Sequence, residues 1–174
     1  MIKLMVRLAV SVFLFATPFQ LLAAPDANEH SDFRLFYVER SKNKNIVCYD
    51  VNVNEAGLNT TEPVAVYWIN REERVGERNG LSAIQKRLAF GYKIKSKGGS
   101  AAQITINACP DRVIRIEKGE NGYKCIIQIN QQEAILSKIY VKTKASNSLS
   151  VEYVELSGLS LVSGERVYER IYNS

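Results

Sequence analysis

The chain has 174 residues but a single histidine, His30, and only three cysteines, Cys48, Cys109 and Cys125. With one imidazole, set in a polar stretch near the N-terminus, a Ser–His or Cys–His catalytic pair and a histidine-based zinc site have little to stand on. An odd number of cysteines argues against a disulfide framework and leaves one thiol over in any pairing. No apolar run reaches the ~20 residues that a spanning helix needs; the run over residues 8–19 has 12 and is broken by Pro18. A clustered basic stripe is also missing. The formal charge of +5 is spread along the chain, and without Lys3 and Arg7 it falls to 21 basic against 18 acidic side chains, about +3. That is an ordinary soluble surface and gives no reason to expect nucleic acid as a partner. No cofactor-binding motif is present, and no cofactor is expected.

What is present begins with an address. Lys3 and Arg7, the apolar run and then Leu21, Leu22, Ala23 and Ala24 have the order of a secretory signal peptide. Residues 1–24 are read as that leader and residues 25–31 as a loose mature start. Residues 32–174 are read as one β-rich domain, exported to the periplasm or beyond, with no membrane span once the leader is removed.

The mature part alternates. Phe33, Leu35 and Tyr37 oppose Arg34, Phe36 and Val38, while Val47, Tyr49, Val51 and Val53 oppose Cys48, Asp50 and Asn52. Period-two segments rich in Val, Ile and Tyr between turn residues are strands. Asn121 and Gly122 mark a tight turn, which places Cys125 opposite Ile116 or Lys118, several residues from Cys109 along the sheet. Cys125 therefore reads as a small core residue rather than a disulfide partner. A three-residue loop at 130–132 would bring Ile135, Ile139 and Val141 onto the apolar face of Ile127. Strands are also expected near 149–156 and 165–172. One segment has helical spacing, Leu81, Ile84 and Leu88, with Ser82 and Gln85 placed for a capping box and Gly91 as a stop. The expectation is an all-β, mainly antiparallel sandwich or closed barrel of about 8–10 strands, with one short helix near residues 82–90. A membrane barrel would also alternate, but strands such as 165–170 carry charge on both faces.

Four places could carry chemistry. Arg40, Ser41, Lys42, Asn43 and Asn45 lie between two predicted strands, where cations and carboxamides could grip an anionic or sugar-like ligand. Tyr67 and Trp68, with Tyr37 and Tyr49, could line a pocket or simply fill the core. Asp50, Asn52 and Asn54 resemble the start of a calcium loop, but the turn glycine and the twelfth-position glutamate that such a loop needs are replaced by Glu55 and Thr61. The run from Arg71 to Arg78 alternates in sign and reads as a solvated loop.

The segments FYVERSKNKNIVCYDVN, PVAVYWI, LSAIQKRLAFGYKI, AILSKIYVK and VEYVELSG resemble the DUF4833 family, bacterial exported proteins of unknown function. The likeness runs from about Phe33 to Tyr172. It implies export and a single domain, with Arg40, Ser41, Asn43, Asn45, Tyr49, Asp50 and Trp68 as recurring landmarks and Cys48 as a departure from an aliphatic residue. It implies no activity. The expected role is a binding or envelope-associated module whose partner is an unidentified ligand or envelope protein. The alternatives are a carboxylate-based hydrolase of envelope carbohydrate and a purely structural partner protein.

Overall fold

The structure, a computed structural model, describes residues 31–147 and 150–172. The expected leader and nearly all of the polar stretch after it lie outside the described residues. In chain order the strands are β1 (Arg34–Arg40), β2 (Asn43–Val51), β3 (Val53–Asn54), β4 (Gly57–Leu58), β5 (Val64–Ile69) and β6 (Arg78–Gly80). After a helical segment come β7 (Tyr92–Gly98), β8 (Ala101–Ile106), β9 (Cys109–Gly119), β10 (Gly122–Ile129), β11 (Gln132–Thr143), β12 (Val151–Ser160) and β13 (Arg166–Tyr172). The fold is all-β and mainly antiparallel, as the alternation predicts. The main sheet curls into a half-barrel, and β3 and β4 form a small hairpin beside it. Among the described residues no helix is long and apolar enough to cross a membrane.

β11 organises the sheet. Its first residues pair with β10, as in Ile127 with Ala134, and its later residues pair in parallel with β1, as in Val38 with Ile139. β12 runs antiparallel to both stretches, from Ala134 with Ser160 to Thr143 with Val151, so it must occupy the other edge. One edge of β11 thus carries two arms in succession. The first arm runs β1-β2-β5-β6 and the second β10-β9-β8-β7. Their apolar faces curl over one core containing Phe36, Val47 and Tyr49 from the first arm and Ile104, Ile116 and Ile127 from the second. Where the arm ends approach, the Tyr92 hydroxyl donates to the Val64 carbonyl at 3.0 Å.

The turns fix which side chains enter that core. Gly122 has φ +113, and Cys125 faces Ile116, one of the two partners anticipated. The next turn is shorter than expected. Asn130 and Gln131 have φ of 49 and 63, a two-residue turn of the type that matches strand twist. Losing one loop residue reverses the parity at the start of β11, so Ala134 and Leu136 are buried and Ile135 is not. A register shift between Leu136 and Lys138 then restores the parity, which is why Ile139 and Val141 do point inward as anticipated. Gly158 makes that irregularity possible, because a Cβ there would sit 2.4 Å from the Ile135 carbonyl oxygen.

The helix falls where predicted, with a difference in form. Ser82 accepts from the Gln85 amide and the Gln85 side chain accepts from the Ser82 amide, closing the capping box. Only Ala83–Gln85, here α1, is α-helical; Lys86–Phe90 is a π turn. The Gly91 amide donates to Lys86 O at 2.8 Å. A Cβ on Gly91 would meet that oxygen at 2.2 Å, so the wide turn needs glycine at its end. The widening changes the buried face. Leu81 and Phe90 are buried, whereas Ile84 and Leu88 are 64% and 66% exposed.

Candidate functional site

The half-barrel is not filled to its rim. Between the helical segment, the start of β9 and the ends of β1, β11 and β12 lies a hollow of about 470 Å³. Val38 and Tyr49 form its floor; Ile84, Leu88 and Phe90 form one wall; Ile139, Val141, Val151 and Val154 form the other. Val38, Ile139 and Val141 arrive by period two on their strands, Ile84 from α1, and Leu88 and Phe90 from the π turn. The Tyr49 hydroxyl donates to Phe90 O at 2.7 Å and so holds the π turn over the floor. Burial pushes the Tyr49 phenol above its ordinary pKa, which keeps it neutral and a donor. Cys109 also lines the hollow, and burial raises its thiol pKa, so it lacks the thiolate character of a nucleophile.

Arg40 is the polar exception of consequence. It ends β1, on the same face as Val38 through its partner Val141. It lines the hollow and also a second, polar groove of about 660 Å³, and among the described residues no other lines both. That groove contains Arg40, Lys42, Lys44 and Arg71 against Glu39 and Glu72, a net excess of two positive charges. Within it Arg71 pairs with Glu39 at 3.0 Å and Lys44 with Glu72 at 3.1 Å.

The other sequence-predicted residues separate. Ser41 accepts from the Thr143 amide at 3.1 Å and its own amide donates to Val141 O at 3.0 Å, so it clips the β1–β2 turn to β11. The Lys42 ammonium reaches across to the carbonyls of Lys144 and Ala145 at 3.1 and 2.8 Å. Asn43 accepts from the Asn45 amide, and Asn45 accepts from the Arg71 amide at 2.8 Å, which ties β2 to the loop after β5. Arg40, Ser41, Lys42 and Asn43 therefore share the polar groove, while Asn45 supports it from behind.

Tyr67 and Trp68 do not join them, since adjacent strand residues face opposite ways. Trp68 packs inward, edge-on to Phe90 at 5.1 Å between ring centroids. Tyr67 lies on the outer face, where its hydroxyl donates to Asp50 Oδ2 at 2.5 Å and accepts from Arg34 Nη2 at 3.2 Å. Burial and the Asp50 contact push the Tyr67 phenol up to about 12. Asp50 is buried and also takes the Arg34 guanidinium at 2.5 Å. Its two carboxylate oxygens are thus engaged, and Asn54 Oδ1 accepts from the Ala56 amide to shape its own turn. Among the described residues no group of three or more His, Cys, Asp or Glu side chains is placed to hold a metal.

The walls of the hollow were missed from sequence because Ile84 and Leu88 carry the same spacing whether a helix buries them or presents them to a cavity. The legible signal was the unusual pairing of a strong capping box with Gly91 only six residues after Gln85.

The chain matches the family described as Domain of unknown function (DUF4833) over residues 36–170, and it belongs to that family. No curated protein and no solved structure matches it.

Proposed function

We propose that this member of the DUF4833 family is an exported binding domain of the cell envelope that holds a small, largely apolar ligand in the hollow of its half-barrel. The observation that carries the reading is the hollow itself: its volume of about 470 Å³ falls in the range of about 300–1,000 Å³ usual for small-molecule sites. Its lining is apolar apart from a few groups that include one guanidinium. Apolar side chains left uncovered at such a rim are a cost unless something covers them, as with Ile84 and Leu88. Binding is favoured over hydrolysis because the two carboxylates of the adjoining groove are already engaged in ion pairs. Export rests on the leader-like order of residues 1–24. Arg40, Lys42 and Asn43 would meet the polar end of the ligand; Ser41, Asn45, Tyr67 and Trp68 would hold the frame.

The test is to express the full chain with its leader and titrate the processed protein with N-phenyl-1-naphthylamine, an uncharged dye that brightens in apolar surroundings. Saturable binding near one dye per chain, weakened at least tenfold by Leu88→Lys, is expected. Osmotic-shock release and a mass short by the leader are expected alongside. Absence of saturable binding, or binding untouched by both Leu88→Lys and Ala89→Trp, overturns the site, and a full-length cytoplasmic product overturns export.

A further inference from the structure

We infer that the ligand of the hollow is a monomeric single-chain amphiphile with an anionic head, its chain in the hollow and its head at Arg40. This rests on the binding reading above and adds the chemistry of the ligand. Among the described residues the hollow and the polar groove share one side chain, Arg40. A ligand that occupies the apolar space therefore ends beside a guanidinium in surroundings with a net excess of two positive charges.

Such surroundings discriminate by charge. A guanidinium offers planar, paired donors that suit a carboxylate or a phosphate, and its hydrogen bonds to an anion are about twice as strong as neutral ones. An uncharged alkyl chain gains nothing from it. The size argues for one chain, since about 470 Å³ lies in the lower half of the usual range for small-molecule sites. Each methylene moved out of water contributes about 0.8 kcal/mol, so chain length as well as charge should set affinity. Carboxylate and phosphate heads share the chemistry that Arg40 recognises, and the measurement below separates them.

The experiment displaces N-phenyl-1-naphthylamine from the processed full chain with dodecanoate, dodecyl phosphate and dodecanol, each below its aggregation threshold. At least one anionic ligand should bind tenfold or more tightly than dodecanol, and the tighter of the two names the head. In Arg40→Gln the advantage should shrink to about threefold or less, with the anion losing more affinity than dodecanol. Leu88→Lys should weaken all three. Equal binding of dodecanol and the anions overturns the amphiphile while leaving the hollow as a binding site. Failure of the dye itself to bind removes the site and the inference together. Competition by inorganic phosphate as strong as that by dodecyl phosphate makes the groove a plain anion site and overturns the proposal. Two other occupants would do the same: a second copy, seen as a dimer that excludes the dye as concentration rises, or the chain's own leader, seen if unprocessed protein refuses dye that processed protein takes.

Discussion

The three strands β1, β2 and β5 bury both of their faces, by opposite means. Inward, Phe36 stacks on Tyr49 with ring centroids 4.4 Å apart, and Val47, Val64 and Trp68 join the common core. Outward, Ile46, Cys48 and Ile69 are equally hidden, but among the described residues no second sheet packs on them. Side chains do. Tyr37 and Tyr67 pack against the three, the Arg34–Asp50 pair closes one side, and the Arg78 guanidinium lies 4.9 Å from the centre of the Tyr67 ring. The inner face is closed by packing between elements, the outer face by a polar roof. A packed interior can leave a hollow, because strands and helices meet imperfectly at a rim. A roof of long side chains cannot, because it settles onto whatever lies beneath it. That difference is why the candidate site lies inside and why Asp50 and Tyr67 do not belong to it.

The inner face is the more vulnerable of the two. Phe36→Ala should cost about 3–5 kcal/mol in urea unfolding, since it removes a stacked ring from a fully packed layer. A loss under 1 kcal/mol would mean that the inner face is not close-packed. On the outside, Asp50→Ala leaves the Arg34 guanidinium buried without its carboxylate and should cost about 3 kcal/mol. Asp50→Ala with Arg34→Met should recover part of that loss, an outcome a purely packing role for Asp50 would not give.

The outer face carries part of the pH dependence, alongside Tyr49, Tyr92, Cys109 and Cys125, whose protons burial also holds more tightly. Burial raises Cys48 to about 12, and burial with the Asp50 contact raises Tyr67 to about 12. Both groups hold their protons more tightly folded than unfolded. Their stabilisation is therefore complete below the unfolded pKa values and is lost as pH rises from about 9 towards 12. Denaturation midpoints should fall across that window, and Cys48→Ala with Tyr67→Phe should flatten the decline. The same burial predicts that at pH 8 a thiol reagent modifies neither Cys48 nor Cys125 until the protein unfolds.

Smaller effects sharpen the contrast. Gly91→Ala forces a methyl against Lys86 O and should destabilise by about 1–3 kcal/mol. It should also disturb dye binding, because the π turn forms a wall of the hollow. Tyr49→Phe removes one buried hydrogen bond and should cost about 1 kcal/mol, with a shift in dye affinity that no outer-face variant produces. Lys44→Ala removes an exposed partner of Glu72 and should change stability by less than about 0.5 kcal/mol.

Much of the fold was legible because its causes are local. Alternation of β-branched and aromatic residues placed most of the strands, Ser82 and Gln85 placed the helix start, and Asn121 with Gly122 marked a turn that left Ile116 or Lys118 opposite Cys125, of which the structure takes Ile116. The parity of Ile135 was misread because a loop of two residues and a loop of three look alike in composition, and the bulge that repairs the parity depends on Gly158, which lies 21 positions beyond Ser137 in the chain. The site was legible only in part. Arg40 stands out as a charge at the end of an apolar strand, and its neighbours through Asn43 do line one groove. Nothing near Arg40 in sequence announces that Leu88 and Val151 share a hollow with it.

Sequence alone located most of the strands and the turns between them, because side-chain period and turn chemistry act over a few positions, although it did not settle the register across each turn. That β1 lies parallel to β11, some hundred residues away, and so which faces enclose space, follows from the assembled fold. That choice depends on closing a long loop and burying two arms together. Its free energy belongs to the whole core, and no short segment carries a record of it.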